Sequence, residues 1–370
     1  MKKLKCLVQH DCPRLGGTET SMANWINNMK DVLDIYVHFF DKKRELLSLF
    51  EATGVNITES CPTLVQAKYL PKDERTEFVN HLLENEPTMG GGYDFALSFF
   101  ASWANNAYVT QKVNATKKFC IVHEDPDYTP RLTLMAREDL AKFNKILFVS
   151  ESMKRRAHEL RPEMTNFGVL RNFQNSDLII EKSKMADEDI KFDPTKINFV
   201  SPIRIEPEQK APIRTAAAIN DLIKKDGIDN FVWTIVGDGR PHDRKALEEY
   251  IAQNGLGNNI KLAGFKPNPY PWIKAADVAL LGSVYEAAPM IYGEASTLGV
   301  PIVSTRNIST DELIGDTGMV CENNQEGIRH AIGDLCRNPR KIDAMREKVK
   351  GYEYPNQQIK ADFLETIAFS

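Results

Sequence analysis

The stretch SVYEAAPMIYGEASTLGVPIVST, from Ser283 to Thr305, carries two glutamates, Glu286 and Glu294, with seven residues between them. In a continuous α-helix they would lie roughly two turns apart and about 80° apart around the axis. Ala287-Ala288-Pro289 follows the first glutamate directly. Proline is tolerated in the first helical turn and not deeper. The pattern therefore predicts Glu286 in a loop that feeds a helix, and Glu294 inside that helix. The flanking runs DVALLGS and PIVST are apolar and β-branched, which predicts a buried strand on either side.

The same style extends in both directions. KCLVQH, DIYVHFF, YDFALSFF, KFCIVH and KILFVS read as strands in the first half of the chain, and INFVSP, FVWTIVGD, IKLAGF, DVALLGS, PIVST and GMVCEN in the second. TETSMANWINNMKDVL, RLTLMAREDLAKF, IRTAAAINDLIKK, KALEEYIAQNG, MIYGEASTLG and QEGIRHAIGDLCRN read as helices between them. Near-continuous apolar strands alternating with helices predict α/β folding, with parallel sheets covered on both faces. Two such runs predict two doubly wound, Rossmann-like domains. The charged stretch EKSKMADEDIKFDPTK reads as the linker. The expected division is residues 1–185, residues 186–352, and a closing helix over 353–370 after a proline break. Ligands of such sheets bind outside the carboxyl ends of the strands, so the loops after strands and a cleft between the domains are the places to search.

The bulk numbers exclude several classes. The chain has 370 residues, 42% hydrophobic and 26% charged, with a net charge of −4, so nothing global demands nucleic acid. No stretch approaches 18 apolar residues, and the apolar run of the basic N-terminus stops at Val8, too short for a signal peptide. The six cysteines contain no CxxC pair, which predicts reduced thiols rather than disulfides or a zinc site. The expected location is cytoplasmic.

Four loops are candidates for chemistry. Gly16-Gly17 follows the first strand and precedes a helix, where backbone N–H groups suit an anion; a plain βα turn is the commoner reason for such glycines. Arg204 and Lys210 follow INFVSP, and two cations at a strand end suit a diphosphate; solvated surface charge is the bland alternative. Gly237 and Gly239 form a lone GxG, which is weak and fits a tight turn. His123 closes KFCIVHEDP in a polar cluster, although a lone histidine is more often structural. Ser-His-Asp sets, HExxH and a Walker lysine loop are absent from the sequence.

Taken in order, the Gly-Gly loop, His123, the Arg204/Lys210 loop, VGDG, LAGF, ADVALLGS, the two glutamates, GVPIVST and DELIGDTGMVCEN resemble the GT4 family of retaining glycosyltransferases, which have the GT-B architecture of two Rossmann-like domains facing a deep inter-domain cleft. The resemblance covers most of the chain and is densest from Asn198 to Asn323. It implies that Gly16 and Gly17 lie by the donor phosphates and the acceptor side, and that Arg204 and Lys210 neutralise the departing nucleoside diphosphate. It implies that Glu294 binds ribose hydroxyls, and that Glu286 binds hydroxyls of the transferred sugar with backbone groups near Ala288, Pro289 and Met290. His123 reaches the sugar, Gly237 contributes to donor binding, and Asn172 closes the first domain. The sequence departs from the family pattern in two ways. Arg204 and Lys210 are six residues apart where five is usual, with Ala211 in the usual glycine place, and Ala287 stands where glycine normally follows the first glutamate.

The implied activity is metal-independent, front-face transfer of a hexose or N-acetylhexosamine from a nucleotide sugar, with UDP favoured, to a glycan, lipid-linked or other cell-envelope polysaccharide acceptor. No cofactor is implied. The alternative is a non-catalytic GT-B subunit that stabilises a partner glycosyltransferase; retention of the charged residues argues against it. An NAD-type dehydrogenase is a poorer reading still, because the first βα turn lacks GxGxxG and no acidic residue sits at a convincing strand end about 20 residues on. KRRAHELR, Lys154 to Arg161, leaves peripheral contact with the inner face of a membrane open, beside the plainer reading as a solvated helix face.

Overall fold

The computed structural model describes residues 3–13, 16–43, 46–128 and 137–370. The chain divides into two compact units, Met1–Gln174 with Pro355–Ser370, and Asn175–Tyr354. The charged stretch before Ile197 thus lies in the second unit, and the closing helix, Asn356–Phe369, in the first.

The first unit holds a seven-stranded parallel sheet of β1 (Leu4–His10), β2 (Leu33–Phe39), β3 (Asn56–Glu59), β4 (Met89–Ser98), β5 (Val113–Val122), β6 (Lys145–Phe148) and β7 (Phe167–Val169). The strand order is β3-β2-β1-β4-β5-β6-β7. The second unit holds a six-stranded parallel sheet of β8 (Ile197–Ser201), β9 (Phe231–Val236), β10 (Ile260–Gly264), β11 (Val278–Leu281), β12 (Ile302–Thr305) and β13 (Gly318–Cys321), ordered β10-β9-β8-β11-β12-β13.

Each sheet winds outward from its first strand in one direction, then returns to wind in the other. The strand order therefore reverses between β1 and β4, and again between β8 and β11. Such switch points open a crevice at the carboxyl ends of the strands. Central strands are apolar because helices cover both faces. Every residue of β9, FVWTIV, is buried, as is every residue of β11, VALL. Helix Pro212–Asp226 buries Ala216, Ala218, Ile219 and Leu222 in the core of the second unit. It stops at Gly227, whose left-handed φ of 68° suits glycine. In the first unit, Phe363 of the closing helix meets Trp25 edge to face at 5.7 Å and Phe95 at 6.2 Å. Lys117 Nζ donates to the Ile367 carbonyl at 2.6 Å.

Eleven of the thirteen strands coincide with the runs read from sequence; β3 and β7 were not anticipated. The expected helix RLTLMAREDLAKF is described only from Arg137, where a short turn Arg137–Leu140 lies; its earlier part falls outside the described residues. All six cysteines are free thiols. No described helix is long and apolar enough to cross a membrane.

Candidate active site

The switch point of the second unit is flanked by the loops after β8 and β11. Past β8 the chain continues beside the end of β9. Ile203 N–H donates to the Val236 carbonyl at 3.1 Å, and Ile205 N–H to that of Asp238 at 2.9 Å. This close approach needs the GxG. A Cβ at Gly237 would lie 1.9 Å from the Ile203 carbonyl oxygen, and one at Gly239 would lie 2.1 Å from that of Ile205. Neighbouring backbone thus accounts for both glycines without a ligand.

Between buried Ile203 and Ile205, Arg204 is exposed and has no partner among the described residues. The loop then curls around Glu206, whose carboxylate accepts from the N–H groups of Gln209 at 2.6 Å, Glu208 at 3.0 Å and Lys210 at 3.3 Å. Ala211 closes the curl at φ 43°, in the left-handed region that disfavours side chains, and Pro212 starts the helix. Ala211 thus adopts a conformation for which glycine would be the easier residue.

The curl delivers two side chains to one acid. Lys210 Nζ pairs with Glu286 Oε1, and Gln209 Nε2 lies 3.4 Å from Glu286 Oε2 and 3.4 Å from the Tyr285 carbonyl. Val284 N–H donates to the Gln209 carbonyl at 2.7 Å, joining the two loops through their backbones. Glu286 is only 5% exposed. A carboxylate withdrawn this far is sustained by a counter-charge and hydrogen bonds. Gln209 and Lys210 thus face Glu286 with different atoms.

Helix Ile291–Thr297 begins just beyond, with Met290 at its cap and Glu294 inside it, as the proline predicted. Pro289 has no N–H, so any backbone donation to a ligand here comes from its neighbours. Glu294 accepts a hydrogen bond from Tyr270 Oη at 3.2 Å. Burial pushes its carboxyl up to about 7, and the Tyr270 bond opposes that rise.

The sequence reading missed the braces behind these loops. Tyr292 Oη shares hydrogen bonds with Ser304 Oγ at 2.8 Å and Thr310 Oγ1 at 3.3 Å. Thr305 Oγ1 donates to the Ser283 carbonyl at 2.6 Å, and Asn323 Nδ2 to the Val284 carbonyl at 2.7 Å. Arg214 Nη2 donates to the Gly282 carbonyl at 2.7 Å. The polar residues of PIVST were the available signal, because a serine and a threonine closing a buried strand need partners.

In the first unit, Gly16 caps helix Gly17–Met29 in extended geometry, at φ −170°. A Cβ on Gly16 would meet the Glu19 carboxylate at 2.6 Å, while at Gly17 the space is open. Glu19 is buried, with Oε1 4.0 Å from His10 Nε2. The positive end of this helix is therefore already answered by a carboxylate in its first turn. His123 follows β5 and stacks on Phe99 with ring centroids 5.3 Å apart. Its Nε2 is buried and has no hydrogen-bond partner among the described residues. Burial, aided by the neighbouring His10, pushes its pKa down to about 3, so the ring is neutral near pH 7. Asn172 accepts from Ser21 Oγ at 2.7 Å, tying the end of the unit to its first helix. A further buried set escaped the sequence reading: Gln9 Oε1 lies 2.6 Å from His38 Nδ1, and His38 stacks on Tyr108 at 4.7 Å.

Acids answer much of the charge in KRRAHELR. Lys154 pairs with Glu151 at 2.6 Å, Arg156 with Asp127 and Glu159 at 2.8 Å each, and Arg161 with Glu163 at 2.6 Å. That pairing suits a solvated helix face.

Two Rossmann-like units, each with its switch point among charged or polar loops, define the GT-B fold of glycosyltransferases. The chain matches, through residues 194–338, the family described as Glycosyl transferases group 1. It is similar to the UDP-Gal:alpha-D-GlcNAc-diphosphoundecaprenol alpha-1,3-galactosyltransferase of Escherichia coli, at 35% identity over 101 residues, 27% of this chain and 26% of that protein. It is also similar to the lipopolysaccharide core biosynthesis glycosyltransferase LpsE of Rhizobium meliloti, at 27% identity over 108 residues, 28% of this chain and 31% of that protein. The matches span less than a third of either relative's length. In three dimensions, Anabaena HepE, crystallised with UDP and glucose, shares the fold with a TM-score of 0.73 at 16% identity, over 99% of this chain and 100% of that one.

Proposed function

We propose that this protein is a retaining glycosyltransferase of GT4 type that transfers a hexose or N-acetylhexosamine from a UDP-sugar to a glycan or lipid-linked cell-envelope acceptor, without a metal. The observation that carries this reading is the convergence of Lys210 and Gln209 on buried Glu286 at the switch point of the second unit, with Glu294 in the helix that follows.

Each group has a task that its chemistry fits. Glu294 accepts the ribose hydroxyls and Glu286 accepts hydroxyls of the transferred sugar. Arg204 supplies an uncommitted guanidinium to the diphosphate, a match of planar fork to oxyanion. The Lys210 ammonium has three donors, so it can keep Glu286 and still turn a proton to the diphosphate. As the C–O bond to the β-phosphate breaks, negative charge gathers on the leaving oxygen, and these fixed cations stabilise it. On the same face, the acceptor oxygen bonds to the anomeric carbon and its proton passes to that phosphate oxygen. Neutral His123 can donate or accept a hydrogen bond at the sugar without adding charge. The Glu19 carboxylate at the first helix favours the acceptor side over the phosphates for Gly16 and Gly17. Arg204 and Lys210 supply the charge that a metal would otherwise bring. Relatives named for envelope glycans support the acceptor class.

The test is to incubate the protein with UDP-glucose, UDP-galactose and UDP-N-acetylglucosamine, each with a lipid-diphosphate-linked sugar acceptor, and to assign the product anomer by NMR. Release of UDP with an α-linked product is expected. A β-linked product would overturn the retaining mechanism. Nucleotide binding without transfer to any acceptor would favour a non-catalytic role.

A further inference from the structure

Tyr270 is absent from the set of residues that the family resemblance supplied. It opens helix Tyr270–Ala275 between Pro269 and Pro271, which restrict the backbone on both sides of it. Its N–H lies 3.3 Å from Asn268 Oδ1. The rest of the helix is anchored: Ile273 is fully buried, and Trp272 Nε1 donates to Asp187 Oδ2 at 2.7 Å. Lys274 Nζ donates to the Leu298 carbonyl at 2.8 Å, fastening this helix to the end of helix Ile291–Thr297. That second helix is anchored in turn by Tyr292 on Ser304 and Thr310.

Between these two fixed helices, the phenol of Tyr270 donates to Oε1 of Glu294 at 3.2 Å. Burial holds the phenol far above its ordinary range, so its proton stays in place and it remains a donor at any working pH. A single neutral hydrogen bond is meagre compensation for a half-buried carboxylate, and as a stabilising device the arrangement is poor. It makes sense when further donors arrive with a ligand. A carboxylate has about four acceptor positions, and Tyr270 engages one of them.

We propose that Tyr270 is the positioning residue that aims Glu294 at the 2′- and 3′-hydroxyls of the donor nucleotide, so that the site distinguishes ribonucleotides from deoxyribonucleotides. This rests on the reading of Glu294 as the ribose-binding acid. Without the phenol, the Glu294 side chain is free to take other rotamers, and the paired acceptance from vicinal hydroxyls is lost. A site built to accept two hydroxyls rejects a ligand that lacks one, because an acceptor is then left unpaired.

Isothermal titration of the full-length protein with UDP and 2′-deoxy-UDP tests this, with Glu294→Gln and Tyr270→Phe as variants. Wild type is expected to prefer UDP by about tenfold or more. Tyr270→Phe should bring that ratio to within about twofold, while affinity for 2′-deoxy-UDP barely moves. With UDP-sugar as substrate, KM should rise and kcat should hold, because the lost contact is made equally in ground and transition states. A Tyr270→Phe protein that keeps the wild-type ratio overturns the proposal while leaving the ribose role of Glu294 standing. Wild type that binds both nucleotides equally, or binds neither, removes the ribose reading and the proposal with it. Because the substitution removes only a hydroxyl, an unchanged Tm separates lost discrimination from lost folding.

Discussion

The ammonium of Lys210 rests on Oε1 of Glu286, joining the loop that follows β8 to the loop that follows β11 across the point where strand order reverses. Both side chains are largely withdrawn from solvent, at 15% and 6% exposure. Lys210→Ala leaves the Glu286 carboxylate withdrawn without its counter-charge, at an expected cost of about 3 kcal/mol. Adding Glu286→Gln should recover a large part of that loss, read as denaturant midpoints in a double-mutant cycle. Turnover in Lys210→Ala should fall about 10²–10³-fold through lost leaving-group stabilisation. A twofold loss would contradict the role.

Ala211 occupies the left-handed region directly before a proline. Ala211→Gly removes a strain of about 1 kcal/mol, partly offset by the greater freedom of glycine in the unfolded chain. Melting of the second unit should rise by about 2 °C or less. A fall in Tm would show that the curl is held for reasons other than steric necessity.

Gly237→Ala should act in the opposite direction and more strongly. The new methyl would overlap the Ile203 carbonyl oxygen, with 1.9 Å between atom centres. Because that oxygen is backbone, relief requires the two strand ends to part, at an expected cost of about 3 kcal/mol or more. Soluble expression and Tm report it. A variant as stable as wild type would mean that the β8 and β9 loops move apart freely.

Glu294 makes both stability and binding depend on pH. Its carboxyl rises from 4.5 to about 7 on folding, so the folded protein holds a proton that the unfolded chain has released. The stability this contributes is full below pH 4.5 and is lost as the pH rises through about 7. Tm of wild type relative to Glu294→Gln should therefore fall across that window. Affinity for uridine, which carries no titrating phosphate, should rise over the same interval as the carboxylate ionises. Parallel profiles for the two proteins would remove Glu294 as their source.

His123, with its pKa near 3, should show no imidazole titration by NMR above about pH 5. A titration near pH 6.5 would show that its ring is solvated and would reopen a charged role for it.

Much of this was legible in the sequence, for identifiable reasons. VALL is apolar at every position and FVWTIV at all but Thr234, a pattern only a strand covered on both faces requires. β3 and β7 are edge strands of four and three residues, NITE and FGV, too short to show a period. Pro289 fixed where the helix begins, and so separated the settings of Glu286 and Glu294. The spacing of Lys210 could not say what it would touch, because that depends on how Glu206 curls the loop. The GxG of Gly237 and Gly239 leaves a tight turn and a ligand contact open in the sequence, because it is equally the signature of two backbones in close approach. Tyr270 was silent because its partner is on another helix, and only the folded unit brings them together.

In the reading proposed above, the loops of the second unit bind the UDP-sugar. The most direct measurement is the Tm of wild type and Glu294→Gln with UDP, GDP and ADP, with and without EDTA. UDP should raise the wild-type Tm whether or not EDTA is present, GDP and ADP should raise it less, and Glu294→Gln should lose most of the UDP shift. No shift with any nucleotide, or an equal UDP shift in both proteins, would contradict that reading.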